Sequence, residues 1–156
     1  MTPQFRKGAA LLSLTVSALL LLSGCTKPLP NATVFSGSNS QNRQATCWAF
    51  ETEELGTGDC AQDLIAQAAT GDAVSVVSVF PGDTVGISVD PVVAETGWFV
   101  VLGDKRLNEN PITSLYYRFT FPDTREIPAE GELLQIYASS GVGARGIWIF
   151  ELNQAS

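Results

Sequence analysis

Three cysteines, Cys25, Cys47 and Cys60, and a complete absence of histidine set the chemistry open to this 156-residue chain. Without an imidazole no serine can be activated through a Ser-His-Asp relay. Lys105 is the only lysine within the region expected to fold, and nothing in the sequence places a serine beside it or desolvates it, which argues against a Ser-Lys nucleophile. Zinc needs four soft ligands, and two free thiols with no histidine fall short of that set. Acid–base work by paired carboxylates stays open, because the spacing that matters there is three-dimensional. A domain of this size rarely builds a deep polysaccharide cleft, so the expectation is that the protein is not an enzyme.

Two further motifs carry chemistry in other proteins. Gly141-Val142-Gly143-Ala144-Arg145-Gly146 satisfies the spelling G-x-G-x-x-G. A dinucleotide site needs a strand before that motif and a helix after it, so that the helix N-terminus meets the pyrophosphate. Here a segment rich in Ile and Trp follows, which reads as a strand. The motif is therefore expected to be a glycine-rich hairpin loop, with Arg145 as a candidate contact. Asp104 to Asn110 crowds Asp104, Asn108, Glu109 and Asn110 together, but the spacing is not that of an EF-hand, and Lys105 and Arg106 intrude. No metal and no cofactor are expected.

The first 24 residues read as an address. Arg6 and Lys7 precede an uncharged run from Gly8 to Leu22, and the run ends in Leu22-Ser23-Gly24-Cys25. About 20 apolar residues are needed to span a bilayer, so this run is short for a permanent anchor and suits an export signal. The closing tetrapeptide resembles the lipobox of bacterial lipoproteins, in which a diacylglycerol is attached to the cysteine sulfur and the leader is cut before that cysteine. Cys25 is thus the expected lipidation site, and residues 25–30 a lipidated tether. Removing 24 of the 156 residues leaves 132, and the loss of two cations takes the formal charge from −7 to −9. With Cys25 committed to lipid, Cys47 and Cys60 remain as a pair. Outside the cytoplasm a disulfide is the default fate of such a pair, and this bridge stabilises by roughly 3 kcal/mol on chain-entropy reasoning.

The elements that must position these residues are β. Hydrophobic residues make up 45 % and charged residues 16 %, which supports a packed core and excludes a disordered polyelectrolyte. A pI near 4.4 argues against nucleic acid as a partner. Thr33 to Phe35 begins a strand, Ser36 to Gln44 has loop composition, and Ala45 to Phe50 reads as a strand. Glu51 to Asp59 is an acidic loop, and Ala61 to Thr70 has helix-like spacing over one or two turns. Val74 to Val79 holds two alternating runs with a phase slip, the mark of a bulge. Pro81-Gly82-Asp83 is a turn, and Thr84 to Val89 places Val85, Ile87 and Val89 on one face. Trp98 to Leu102 reads as a central strand and Gly103 to Pro111 as a polar loop. Leu115 to Phe121 alternates Leu115, Tyr117, Phe119 and Phe121 against Tyr116, Arg118 and Thr120. Leu133 to Ala138 and Ile147 to Leu152 are the last strands.

The fold class is therefore all-β, an immunoglobulin-like β-sandwich of about seven strands over residues 31–155. Trp48, Trp98 and Trp148 are expected in the core. Of the adjacent Tyr116 and Tyr117 one must face outward, and Tyr116 is the candidate for a binding surface together with Arg145.

Several stretches in order resemble a family of small actinobacterial lipoproteins known only as a domain of unknown function. They are the lipobox Leu22 to Cys25, the Cys47 and Cys60 pair, Val79 to Val89, Val92-Val93-Ala94 with Gly97 to Val101, Tyr117 to Phe121, and Leu133 to Tyr137. Gly97 stands where that family often has proline. The resemblance implies a β-rich lipoprotein of the cell envelope and supplies no activity. The expected function is a non-catalytic, membrane-anchored adaptor, extracytoplasmic, that binds another envelope protein or a cell-wall polymer. A carrier or chaperone for a lipid or other apolar ligand is the alternative, and a small cell-wall hydrolase the second alternative.

Overall fold

The computed structural model describes residues 27–50, 55, 74–123, 128, 131–139, 141 and 143–155. Within them the chain forms two β-sheets that close on one another as an all-β sandwich. One sheet has the order β2-β1-β5-β8, built from β1 (Asn31–Ser36), β2 (Asn39–Gln44), β5 (Thr84–Val89) and β8 (Tyr116–Thr120). All its pairings are antiparallel. The second sheet has the order β3-β10-β9-β6-β7, from β3 (Cys47–Trp48), β6 (Trp98–Leu102), β7 (Lys105–Arg106), β9 (Glu132–Ser139) and β10 (Ala144–Gln154). Its sixth strand, β4 (Ser75–Val79), pairs parallel with residues Phe150 to Gln154 of β10. β3 pairs with Gly146 and Ile147 farther back on the same strand. The length of β10 thus lets it hold two short partners in succession.

Alternation explains the packing. Val34, Val85 and Ile87 from the first sheet and Val77, Val100, Leu134, Ile136, Trp148 and Phe150 from the second point into one shared core. Trp98, Trp148, Phe121 and Phe150 are its largest fully buried side chains. The three tryptophans are buried as expected, and the indole N–H groups of Trp98 and Trp148 each find a carbonyl. Trp98 Nε1 donates to Ser114 O at 2.9 Å, and Trp148 Nε1 donates to Pro30 O at 3.1 Å. Trp48 lies against Trp148 with centroids 5.9 Å apart, tilted by 57°.

The structure corrects the sequence reading at four places. The polar stretch read as a loop contains β2, paired with β1 along six positions from Asn31↔Gln44 to Ser36↔Asn39. β2 lies at the sheet's edge and is mostly solvent-exposed, so it needs no hydrophobic alternation; its polar side chains suit an edge exposed to water. The bulge expected in Val74 to Val79 is absent, since β4 keeps an unbroken register; the irregularity falls between Ala144 and Gly146 of β10 instead. The polar loop Gly103 to Pro111 contains β7, which turns back onto Val101 and Leu102. A short helix, α1 (Pro91–Thr96), carries the chain from the first sheet to the second. Pro91 at its start suits a helix because the missing N–H would be unpaired there. It ends at Gly97 with φ 79. Proline is locked near φ −65° and cannot adopt that conformation, so this crossover is shaped differently from one with proline at position 97.

Candidate binding face

The outward face of the four-stranded sheet gathers side chains from all four strands. Register sets three rows across it. Asn42, Thr33, Ser88 and Tyr116 form one row, and Ser40, Phe35, Gly86 and Arg118 the next. Thr84 and Thr120 pair at the edge beyond them. Tyr116, Arg118 and Thr120 are exposed, while Tyr117 and Phe119 on the opposite side are partly buried against the core. The alternation expected over Leu115 to Phe121 is therefore observed from Tyr116 onward, whereas Leu115, expected on the inner side, lies before the strand and is exposed.

Phe35 is the residue that sequence reasoning did not single out. Its ring lies over Gly86, where any Cβ would overlap it, and comes to rest near-parallel to Tyr116. The centroids are 6.1 Å apart and the planes differ by 19°. Glycine at position 86 thus permits this close approach of the ring, and no positive backbone angle calls for it. Tyr116 remains 44 % exposed, so the aromatic pair is open to a ligand. Asn42 Nδ2 donates to Thr33 Oγ1 at 2.7 Å, which orders the amide side of the face. The only signal for Phe35 in the sequence was its place in a strand whose alternate residues Ala32 and Val34 are apolar.

The face carries one formal charge, on Arg118, and no carboxylate among its strand residues. Two aspartates lie just beyond the ends of β5, and both serve as acceptors. Asp83 Oδ2 takes the Phe80 N–H at 2.9 Å and the Ser36 hydroxyl at 3.4 Å. Asp90 Oδ2 takes the Asn31 N–H at 2.7 Å and its side-chain amide at 3.3 Å.

Arg145 lies elsewhere, on β10 of the other sheet, and the structure does not bring it to Tyr116. It is partly buried; its Nε donates to Ala49 O at 3.2 Å and its guanidinium lies 5.0 Å from the Trp48 ring centroid. Of the glycine motif, Ala144, Arg145 and Gly146 belong to β10, which pairs antiparallel with β9, and Trp48 packs on Gly146. In the Asp104 to Asn110 segment the Asn108 side-chain oxygen and the carbonyls of Asn108, Glu109 and Asn110 are taken up internally. Asn108 Oδ1 accepts the Val100 N–H, and Arg106 donates to the carbonyls of Asn108 and Glu109 while covering the Phe99 ring at 3.5 Å. Among the described residues no group of three or more His, Cys, Asp or Glu is arranged to hold a metal.

Cys47 is buried in β3. Cys60, the partner expected for it, lies outside the described residues, as do Cys25, most of the acidic loop Glu51 to Asp59 and the helix-like segment Ala61 to Thr70. No helix among the described residues is long and apolar enough to cross a membrane. Pro30, just before β1, accepts at its carbonyl from Trp148 Nε1 and from the Ala45 N–H at 2.8 Å. No protein-family model, no curated protein and no solved structure matches this chain.

Proposed function

We propose that this chain is a lipid-tethered, non-catalytic adaptor of a cell envelope that presents the outward face of its four-stranded sheet to a partner. The observation that carries the reading is the pair of half-buried Phe35 and exposed Tyr116 with Arg118 beside it, on a face free of carboxylates. Tyrosine and arginine are enriched where proteins meet partners, because each offers area and hydrogen-bonding capacity together. The anchor rests on Leu22-Ser23-Gly24-Cys25. A chain extends at most about 3.6 Å per residue, so the short tether from Cys25 to Pro30 would hold the domain close to the lipid.

The finer fold reading is an immunoglobulin-like sandwich. β5 beside β8 in one sheet and β6-β9-β10 in the other have the neighbour relations of strands B and E and of C, F and G. The crossover from β8 to β9 between sheets fits the same scheme. Cys47 and Cys60 are the proposed disulfide pair. The carrier alternative needs room between the sheets, and that space is occupied by Trp98, Trp148, Phe121 and Phe150.

The test is crosslinking in intact envelopes, followed by recovery of the protein and mass spectrometry of its first residue. Lipid on Cys25 is expected, and a partner captured by the wild type and lost on Tyr116→Ala. An unmodified Cys25 thiol removes the anchor, and a crosslinking pattern unchanged by Tyr116→Ala removes the face.

A further inference from the structure

The chemistry of the same face names its occupant. We infer that it binds a neutral polysaccharide, with the Tyr116 and Phe35 rings under the sugar and Arg118, Asn42 and Ser40 around it; this rests on the face being the docking surface. Three observations converge. The rings of Phe35 and Tyr116 are near-parallel and partly open, and the C–H side of a pyranose is an apolar surface that packs on an aromatic ring. Around them stand hydroxyls and amides, from Ser40, Asn42, Thr84, Ser88 and Thr120. These side chains both donate and accept, as sugar hydroxyls require. Short polar side chains beside a rigid tyrosine make the same division of labour that paratopes use.

Charge selects among polymers. The chain holds sixteen acidic residues against nine basic ones, yet this face holds no carboxylate and one guanidinium. A polyanion approaching a protein of this net charge is repelled by the whole-molecule field. An apolar protein partner would be met by a rim of polar side chains that it must leave desolvated. A neutral sugar chain meets neither penalty, and Arg118 supplies planar donors for its hydroxyls.

Affinity electrophoresis tests this with the full-length lipidated protein in neutral detergent, run through gels containing dextran, mannan, hydroxyethylcellulose or polygalacturonate. At least one neutral polymer should retard the wild type. Tyr116→Ala should weaken retardation about tenfold, as loss of a central aromatic anchor does, and Arg118→Gln should weaken it by a smaller factor. Tyr137→Phe, on the other sheet, should leave it unchanged. Retardation should persist at high salt, since no ion pair is involved. Near-UV circular dichroism confirms that each variant is folded. Retardation by polygalacturonate alone, by no polymer, or equally in wild type and Tyr116→Ala overturns the sugar assignment. If crosslinking in envelopes is still lost on Tyr116→Ala, the docking face stands and only its occupant is wrong; if crosslinking is also unchanged, both readings fall.

Discussion

Phe35 reaches across Gly86 to lie against Tyr116, so a glycine in one strand makes room for an aromatic pair supplied by its two neighbours. The pairing joins β1 to the edge strand β8. Neither ring belongs to the core, where Trp98 and Trp148 are fully enclosed. The sandwich therefore keeps two separate aromatic systems, one that holds the sheets together and one that faces solvent.

The first prediction concerns that glycine. Gly86→Ala forces the Phe35 ring aside. Alanine loses less backbone entropy than glycine on folding, worth roughly 0.5–1 kcal/mol, which offsets part of the displacement. We expect unfolding free energy to change by no more than about 1 kcal/mol while the ring-current shifts of Tyr116 change in NMR spectra. Unaltered Tyr116 ring resonances would show that the stack does not depend on position 86.

Trp148 couples the segment before β1 to the core through its indole N–H on Pro30 O. Trp148→Phe removes that hydrogen bond and leaves a void beside Trp48. Urea unfolding should show a loss of about 2–4 kcal/mol, mostly from the cavity, since Pro30 O keeps the Ala45 N–H when the indole donor is lost. A loss below half a kcal/mol would mean that the pocket collapses around phenylalanine and that the Pro30 contact carries little energy.

Asn108 acts as a piece of backbone. Its Oδ1 accepts from Val100 N–H at 2.9 Å and its Nδ2 donates to Asn110 O at 2.7 Å. Asn108→Ala should cost about 1–3 kcal/mol. Asn108→Asp keeps the acceptor but turns an oxygen toward a carbonyl, so it should not rescue. Rescue by aspartate in a chemical-denaturation series would point to the Val100 contact alone.

Burial pushes the Tyr137 hydroxyl above its ordinary value of 10.0. Its hydroxyl also donates to Gln135 Oε1. The folded state thus holds this proton more tightly than the unfolded chain. The stabilisation is complete below about pH 10, the unfolded value, and is lost as pH rises through the higher folded value. Stability measured between pH 8 and 11 should fall at the alkaline end, and Tyr137→Phe should flatten that fall. A fall of the same size in the variant would assign it to other groups.

Much of the strand pattern was legible because it is local. The alternation of Leu115 to Phe121 put Tyr116, Arg118 and Thr120 on one side before any partner strand was known, and Val85, Ile87 and Val89 behaved likewise. β2 was not legible, because an exposed edge strand has no apolar side to mark it. α1 was hidden because Val92 and Val93 read equally well as extended chain, and its short turn is set by Asp90-Pro91 and Gly97. Phe35 looked like any strand aromatic until Gly86 was placed beside it.

What the sequence by itself determined about this protein is its chemical inventory and its parity: no histidine, three cysteines, an acidic balance, and which neighbours along a strand point apart. These depend only on residue type and on the two-residue period of extended backbone. The tertiary structure alone decided that β1, β5 and β8 lie side by side and in which register. Strand order comes from hydrogen bonding between distant backbone segments and from burial shared by two sheets, and no local pattern encodes it. That is why Tyr116 could be nominated from sequence, while its partner Phe35, the glycine beneath that ring, and the separation of both from Arg145 became known only with the fold.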